Sequence, residues 1–187
     1  MKPRIFVPGW GGSGAGHWQT LWQSRSRGAR RVEMPDWFAP DPEAWVQAID
    51  RTVARAVAHP GPSQAPDSQL PVLIAHSLGC IATARWLGTV RRPVAAALLV
   101  APPDVEREGA PEALRAFAPV PRQRLPLRTV VVASTNDTYA TLDYATTLAR
   151  QWGSELVVLQ DAGHINVESG HGPWPQGLAL LRQLLRE

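Results

Sequence analysis

The strongest constraint on this chain is a rhythm of short apolar runs. RIFV (4–7), VLIA (72–75), AALLV (96–100), TVVVA (129–133) and ELVVL (155–159) are apolar at nearly every position, and a shorter candidate, RVE, lies at 31–33. A strand with one solvated face alternates polar and apolar residues, whereas a strand covered on both faces does not. Between the runs lie stretches with helical periodicity, at 17–26, 42–58, 78–90, 141–152 and 175–186. Asp41 before Pro42 is a good cap and first-turn pair, and Pro175 suits the start of the last helix. Strands alternating with helices predict an α/β fold, a three-layer α/β/α sandwich around a mostly parallel sheet. At 187 residues the chain reads as one domain spanning 1–187, large enough to hold a core without staples. The polar, proline-rich GPSQAPDSQLP at 61–71 reads as a surface connection inside that domain.

Composition removes several function classes. No apolar run approaches the roughly 18 residues of a membrane span, and no basic segment leads into an apolar leader, so neither membrane insertion nor export is expected. The lone Cys80 excludes an intrachain disulfide and suits a reducing, cytoplasmic setting. The net charge is only +3, and the densest basic cluster, RSRGARR at 25–31, reads as a solvated helix end and turn. Nucleic acid and membrane surfaces are therefore not expected partners. The scattered histidines and single cysteine lack metal-ligand spacing, so no metal is expected. No segment specifies a protein partner.

In parallel sheets functional residues gather where strands end and helices begin. Four such turns carry candidate chemistry. In the second, AHSLGC after VLIA, Ser77 stands between small residues, Ala75 and Gly79, in the pattern of a nucleophile elbow with Ala in place of the first Gly. The same Ser could merely cap the helix, a role serine favours. The third, TNDTY, places Asp137 after a strand, and the fourth, DAGHIN, places His164 after the next. Their order, Ser then Asp then His, is that of α/β-hydrolases. Either residue could instead be structural, Asp137 as a helix cap and His164 as a loop histidine. Asp104 is a competing acid, because it too follows a strand. Asp161 reads as a turn residue, His17 as the start of the first helix, and Cys80 as a small buried helix residue. His76 should point away from the elbow, and His171 lies farther from a strand end.

The first turn, VPGWGGSGAGH at 7–17, has two readings. Gly9, Gly11 and Gly14 fit G-x-G-x-x-G, and Glu33 lies downstream where a ribose-binding acid would, which suggests a dinucleotide site. Alternatively, the loop supplies a backbone N–H to an oxyanion, as acyl transfer requires. One such donor comes from the residue after the nucleophile, Leu78, and the other from this loop, from Trp10 with Gly11 next in line. Gly14-Ala15-Gly16 is a poor helix start, which favours the oxyanion reading. Trp37 and Trp174 lie in loops that could line a substrate site together with Gly11. Two other function classes stay open, a nucleotide-binding oxidoreductase using the glycine loop and a catalytically silent interaction module on the same scaffold.

PGWGG, AHSLG, SxNDxY and GHIN, with GPWP before the last helix, resemble the small serine hydrolases related to retinoblastoma-binding protein 9. The resemblance runs along nearly the whole chain, and Ala75 departs from the general hydrolase pattern. It implies a compact, essentially uncapped α/β-hydrolase fold with Ser77 as nucleophile, Asp137 as acid and His164 as base. The expected activity is hydrolysis of a small ester, thioester or amide through an acyl-enzyme, with a small-molecule acyl substrate and no cofactor. The segment at 101–128, where such folds often carry a lid, offers only one short helical stretch near 111–117. No large lid is expected.

Overall fold

The computed structural model describes residues 2–58, 70–90 and 92–185. Most of the 61–71 connection, and position 186 of the expected last helix, lie outside them. Among the described residues six strands form one sheet: β1 Arg4–Val7, β2 Arg30–Arg31, β3 Val72–His76, β4 Ala96–Val100, β5 Thr129–Ser134 and β6 Glu155–Leu159. Their order is β2-β1-β3-β4-β5-β6, and each neighbouring pair is parallel. The chain begins inside the sheet, winds out to β2, then crosses β1 and winds the other way to β6. The helices are α1 Trp18–Ser24, α2 Pro42–Ala58, α3 Leu78–Thr89, α4 Glu112–Arg115, α5 Leu142–Trp152 and α6 Pro175–Leu184.

The apolar runs become strands because both of their faces are covered. Every residue of β3, β4 and β5 is buried. Successive side chains point to opposite faces, so Ile5, Val7, Leu73, Ala75, Leu99 and Val131 meet α2, α3 and α5 through Trp45, Ile81 and Leu148. Phe6, Val72, Ile74, Leu98, Val100 and Val132 pack on Trp18 and Trp22 of α1 and on Leu181 of α6.

β3 and β5 each run one residue past the sequence reading, to His76 and Ser134, and two strands depart from it further. β2 lies one residue earlier and is only two residues long; Val32 follows it, donating its N–H to the Phe6 carbonyl at 2.9 Å. Among the described residues β6 is an edge strand, so its apolar run is only partly covered and Val158 is 38% exposed. The 101–128 segment contains the short α4, while Leu114, Phe117, Val120 and Leu125 join the core on the α2–α3 face. Phe117 meets Trp45 edge-on at 5.5 Å, and Arg85 donates to the Phe117 and Pro119 carbonyls. The segment is thus tied down along the flank of a helical layer.

Candidate active site

Ser77 sits between β3 and α3 with φ 54° and ψ −130°. A non-glycine residue held there stores about 1–3 kcal/mol of strain, so the surroundings must fix it. Its N–H donates to Val100 O at 2.9 Å. A Cβ at Gly79 would lie 2.4 Å from Val7 O and 2.6 Å from Pro8 O, which explains the glycine two residues after Ser77. Ala75 is a fully buried β3 residue paired with Val7, so a methyl group is accommodated where the motif has Gly. The Ser77 hydroxyl does not cap α3. It lies instead 2.8 Å from His164 Nε2.

Asp137 follows β5 and His164 follows β6. The Asp137 carboxylate brackets His164 Nδ1 at 3.0 and 2.9 Å, and Asp137 Oδ1 also accepts the Tyr139 N–H at 2.9 Å. The two side chains are only 4% and 10% exposed. An ionised carboxylate only accepts hydrogen bonds, so Nδ1 carries the proton, and Nε2 of the neutral ring is left to accept from Ser77. The competing roles fall elsewhere. Thr141 caps α5, while Asp104 accepts the Glu106 N–H and makes no hydrogen bond to His164 among the described residues. Asp161 is a left-handed turn residue at φ 49°. His171 pairs through Nδ1 with Ser169 Oγ. His17 caps α1 through Nδ1, and burial, helped by Arg31 and His164, pushes its pKa down to about 4. Cys80 packs its thiol against Val100 O, and burial pushes its pKa well up, so the start of α3 does not activate it.

The loop carrying His164 is held residue by residue, by side chains to which the sequence assigns no such role. Ser134 Oγ accepts the Ala162 N–H at 2.9 Å and Asn136 Oδ1 accepts the Gly163 N–H at 2.7 Å. His76 Nε2 lies 2.9 Å from the His164 carbonyl, and Trp18 Nε1 donates to the Ile165 carbonyl at 2.8 Å. The Tyr139 ring lies over the His164 ring at 4.4 Å. The available signal was SxNDxY, in which Ser134, Asn136, Asp137 and Tyr139 each contact the 162–164 stretch. Burial also pushes the His76 pKa well below the usual histidine range.

The glycine loop lies directly against the serine. A Cβ at Gly9 would stand 2.7 Å from Ser77 Cβ and 3.2 Å from its Oγ. Gly11 and Gly12 have φ of 73° and 76°, which only glycine adopts freely. The Gly11 N–H donates to Trp37 O at 2.9 Å and the Gly12 N–H to Gly9 O at 3.0 Å, so Gly11 is not the available donor. The amides of Trp10 and Leu78 make no hydrogen bond among the described residues. The loop is anchored at Ser13, whose carbonyl accepts from Thr20 Oγ1 and Arg31 Nη1 and whose hydroxyl donates to buried Gln19. Gly14 would meet nothing within 4 Å, and α1 begins only at Trp18. A dinucleotide fingerprint needs its third glycine at a close helix–strand contact, and Gly14 makes none.

Trp37 borders this loop, lying 3.6 Å from a Cβ built on Gly12. Trp10 and Phe38 are 38% and 73% exposed, and Trp10 Nε1 donates to Phe38 O. Trp174 differs from expectation. It is 3% exposed, stacked on Trp22 at 5.6 Å and edge-on to Trp18 at 5.1 Å. Its position just before α6 turns the indole into the core instead of toward a substrate.

The sequence model of the serine hydrolase family matches residues 4–183. Among solved structures, a YdeN-like hydrolase from Pectobacterium atrosepticum is 30% identical, with a TM-score of 0.81 over 98% of this chain and 90% of that one. The ydeN gene product of B. subtilis is 21% identical, with a TM-score of 0.80 over 100% of both chains. A thermophilic esterase from Thermogutta terrifontis is 18% identical, with a TM-score of 0.67 over 98% of this chain and 82% of that one; at that identity it speaks for the fold alone. No curated protein matches the sequence.

Proposed function

The chain belongs to the serine hydrolase family, and on that premise we propose that it hydrolyses a small ester, thioester or amide through an acyl-enzyme on Ser77. The observation that carries this reading is the relay from Ser77 Oγ to His164 Nε2 at 2.8 Å and from His164 Nδ1 to Asp137 at 2.9 Å. Within the family, the motifs around these residues favour the small, uncapped hydrolases of the retinoblastoma-binding protein 9 type.

In the first half-reaction His164 Nε2 takes the hydroxyl proton as Ser77 Oγ bonds to the substrate carbonyl carbon. The carbonyl oxygen becomes an oxyanion and is received by the N–H groups of Trp10 and Leu78. Asp137 keeps the imidazole in the required tautomer and stabilises it once charged. His164 then gives its Nε2 proton to the leaving group as that bond breaks. Water attacks the ester on Ser77, again losing its proton to His164, and the hydroxyl of Ser77 is restored as the acid departs. A preorganised pair of donors of this kind typically supplies about 3–4 kcal/mol of transition-state stabilisation per donor.

Trp10 and Phe38 leave apolar surface exposed beside the glycine loop, and the 101–128 segment packs on the flank of the sandwich. An acyl chain gains at most about 0.8 kcal/mol per methylene, and only while apolar surface remains to bury it. The expected substrate is therefore a short acyl group. In a series of p-nitrophenyl esters from acetate to palmitate, kcat/KM should peak at short chains, with the acylated protein visible by intact mass. A steady rise to the longest chain with a jump above the micellar concentration would require a deep tunnel and overturn this substrate class.

A further inference from the structure

His76 is the last residue of β3 and immediately precedes Ser77. It is 5% exposed, and its Nε2 lies 2.9 Å from the main-chain carbonyl of His164. A carbonyl can only accept, so this nitrogen carries the ring proton and donates it. Two residues adjacent in the chain therefore hold one residue of the opposite loop at two points. Ser77 meets the side chain of His164, and His76 meets its main chain. The His76 ring is itself wedged, edge-on against His17 at 4.8 Å and perpendicular to Trp18 at 5.8 Å.

The loop needs such a hold. Asp161, Gly163 and Ile165 have φ of 49°, 56° and 50°, a left-handed alternation that persists only where neighbouring groups fix it. Ser134 and Asn136 tie the loop to the turn after β5, and Trp18 ties it to α1. Among the described residues, His76 supplies the main-chain tie to the nucleophile elbow. Resting on the acyl-enzyme reading above, we propose that His76 is a positioning residue for deacylation, holding His164 in register with the elbow while the acyl group occupies Ser77 Oγ. Before acylation the Ser77–His164 hydrogen bond joins elbow and base directly. Once Oγ is an ester oxygen it has no proton to donate, and that link is gone. The His76–His164 bond persists, and it holds the base where the attacking water must find it.

The test is burst kinetics with p-nitrophenyl acetate on the wild type and on His76→Met, His76→Asn and His76→Gln. The Gln amide nitrogen reaches roughly where Nε2 sits, whereas the shorter Asn amide does not. Burst amplitude counts only competent molecules, so a partly misfolded variant does not distort the rates; if the Met variant does not fold, the Asn–Gln comparison decides. For Met and Asn the deacylation rate constant should fall about ten- to a hundredfold, the scale of an ångström of misplacement. Acylation should fall less, and acyl-enzyme should accumulate by intact mass. Gln should return deacylation to within about threefold of wild type. Deacylation at the wild-type rate in Met and Asn, or equal losses in both steps for Met, Asn and Gln alike, would overturn the proposal. Ser77→Ala in the same assay separates the two readings. Turnover without Ser77 defeats the acyl-enzyme itself, whereas a dead Ser77→Ala beside unaffected His76 variants defeats only the role of His76.

Discussion

Adding one methyl group at Gly9 perturbs the contact between the glycine loop and the serine. The new Cβ would stand 2.7 Å from Ser77 Cβ and 3.0 Å from His76 O. Carbon atoms rest at about 3.5–4.0 Å, so roughly 1 Å of separation must be found. Ser77 cannot supply it, since its backbone is held at φ 54° with its N–H bonded to Val100. The glycine loop must therefore move outward by about an ångström, taking the Trp10 N–H away from the proposed oxyanion position. Misplacement on that scale costs about a hundredfold in rate, equivalent to about 2.7 kcal/mol of barrier. The same overpacking should cost about 1–3 kcal/mol of stability. The assay is kcat/KM for p-nitrophenyl acetate beside urea unfolding, with Gly14→Ala as the internal control. A Cβ at Gly14 meets nothing within 4 Å, so that variant should stay within about twofold of wild type and change stability by less than about 1 kcal/mol. Gly9→Ala at the wild-type rate, or Gly14→Ala equally damaged, would refute the reasoning.

Two further outcomes are expected. Asp137→Asn should lower kcat by about three to four orders of magnitude because the amide favours the wrong imidazole tautomer, while Asp104→Asn, whose amide oxygen still accepts the Glu106 N–H, should be mild; a reversed ranking in steady-state kinetics would move the acid to Asp104. Stability should fall with acid. His17 is buried, and burial brings its pKa down to about 4 in the folded protein from the ordinary histidine value of 6.5, so between these values the unfolded chain binds more protons. Its contribution is full above about pH 6.5 and lost progressively toward pH 4, up to about 3 kcal/mol. His76, lowered in the same direction, adds to the slope. Urea unfolding at pH 7 and pH 4.5 should show the loss, and His17→Asn, which keeps a cap, should reduce it; equal wild-type stability at both pH values would contradict the burial of these neutral rings.

How much of this was legible depends on how local each signal is. The β3, β4 and β5 runs could be read directly because burial on both faces is written into consecutive residues. β2 was offset because an arginine pair at an edge pairs through its backbone and leaves no apolar pattern. Ser77, Asp137 and His164 are singled out by their place at strand ends together with the elbow pattern and the order Ser, Asp, His, and the structure brings the three within hydrogen-bond reach after β3, β5 and β6. The ties that Ser134, Asn136, Trp18 and His76 make to the His164 loop are not legible in the sequence, because each acts on a loop supplied by a distant part of the chain. Trp174 was misassigned for the same reason. Read alone, a tryptophan before a helix is a loop residue, and only its packing against Trp18 and Trp22 makes it core.

The most direct test of the central claim is labelling with a fluorophosphonate probe, which reacts readily with an activated serine and not with an ordinary one. One equivalent should attach to the wild-type protein, and peptide mapping should place it on Ser77. Ser77→Ala should lose both labelling and ester turnover while unfolding in urea like the wild type. A label on another residue, or undiminished labelling of folded Ser77→Ala, would contradict the account.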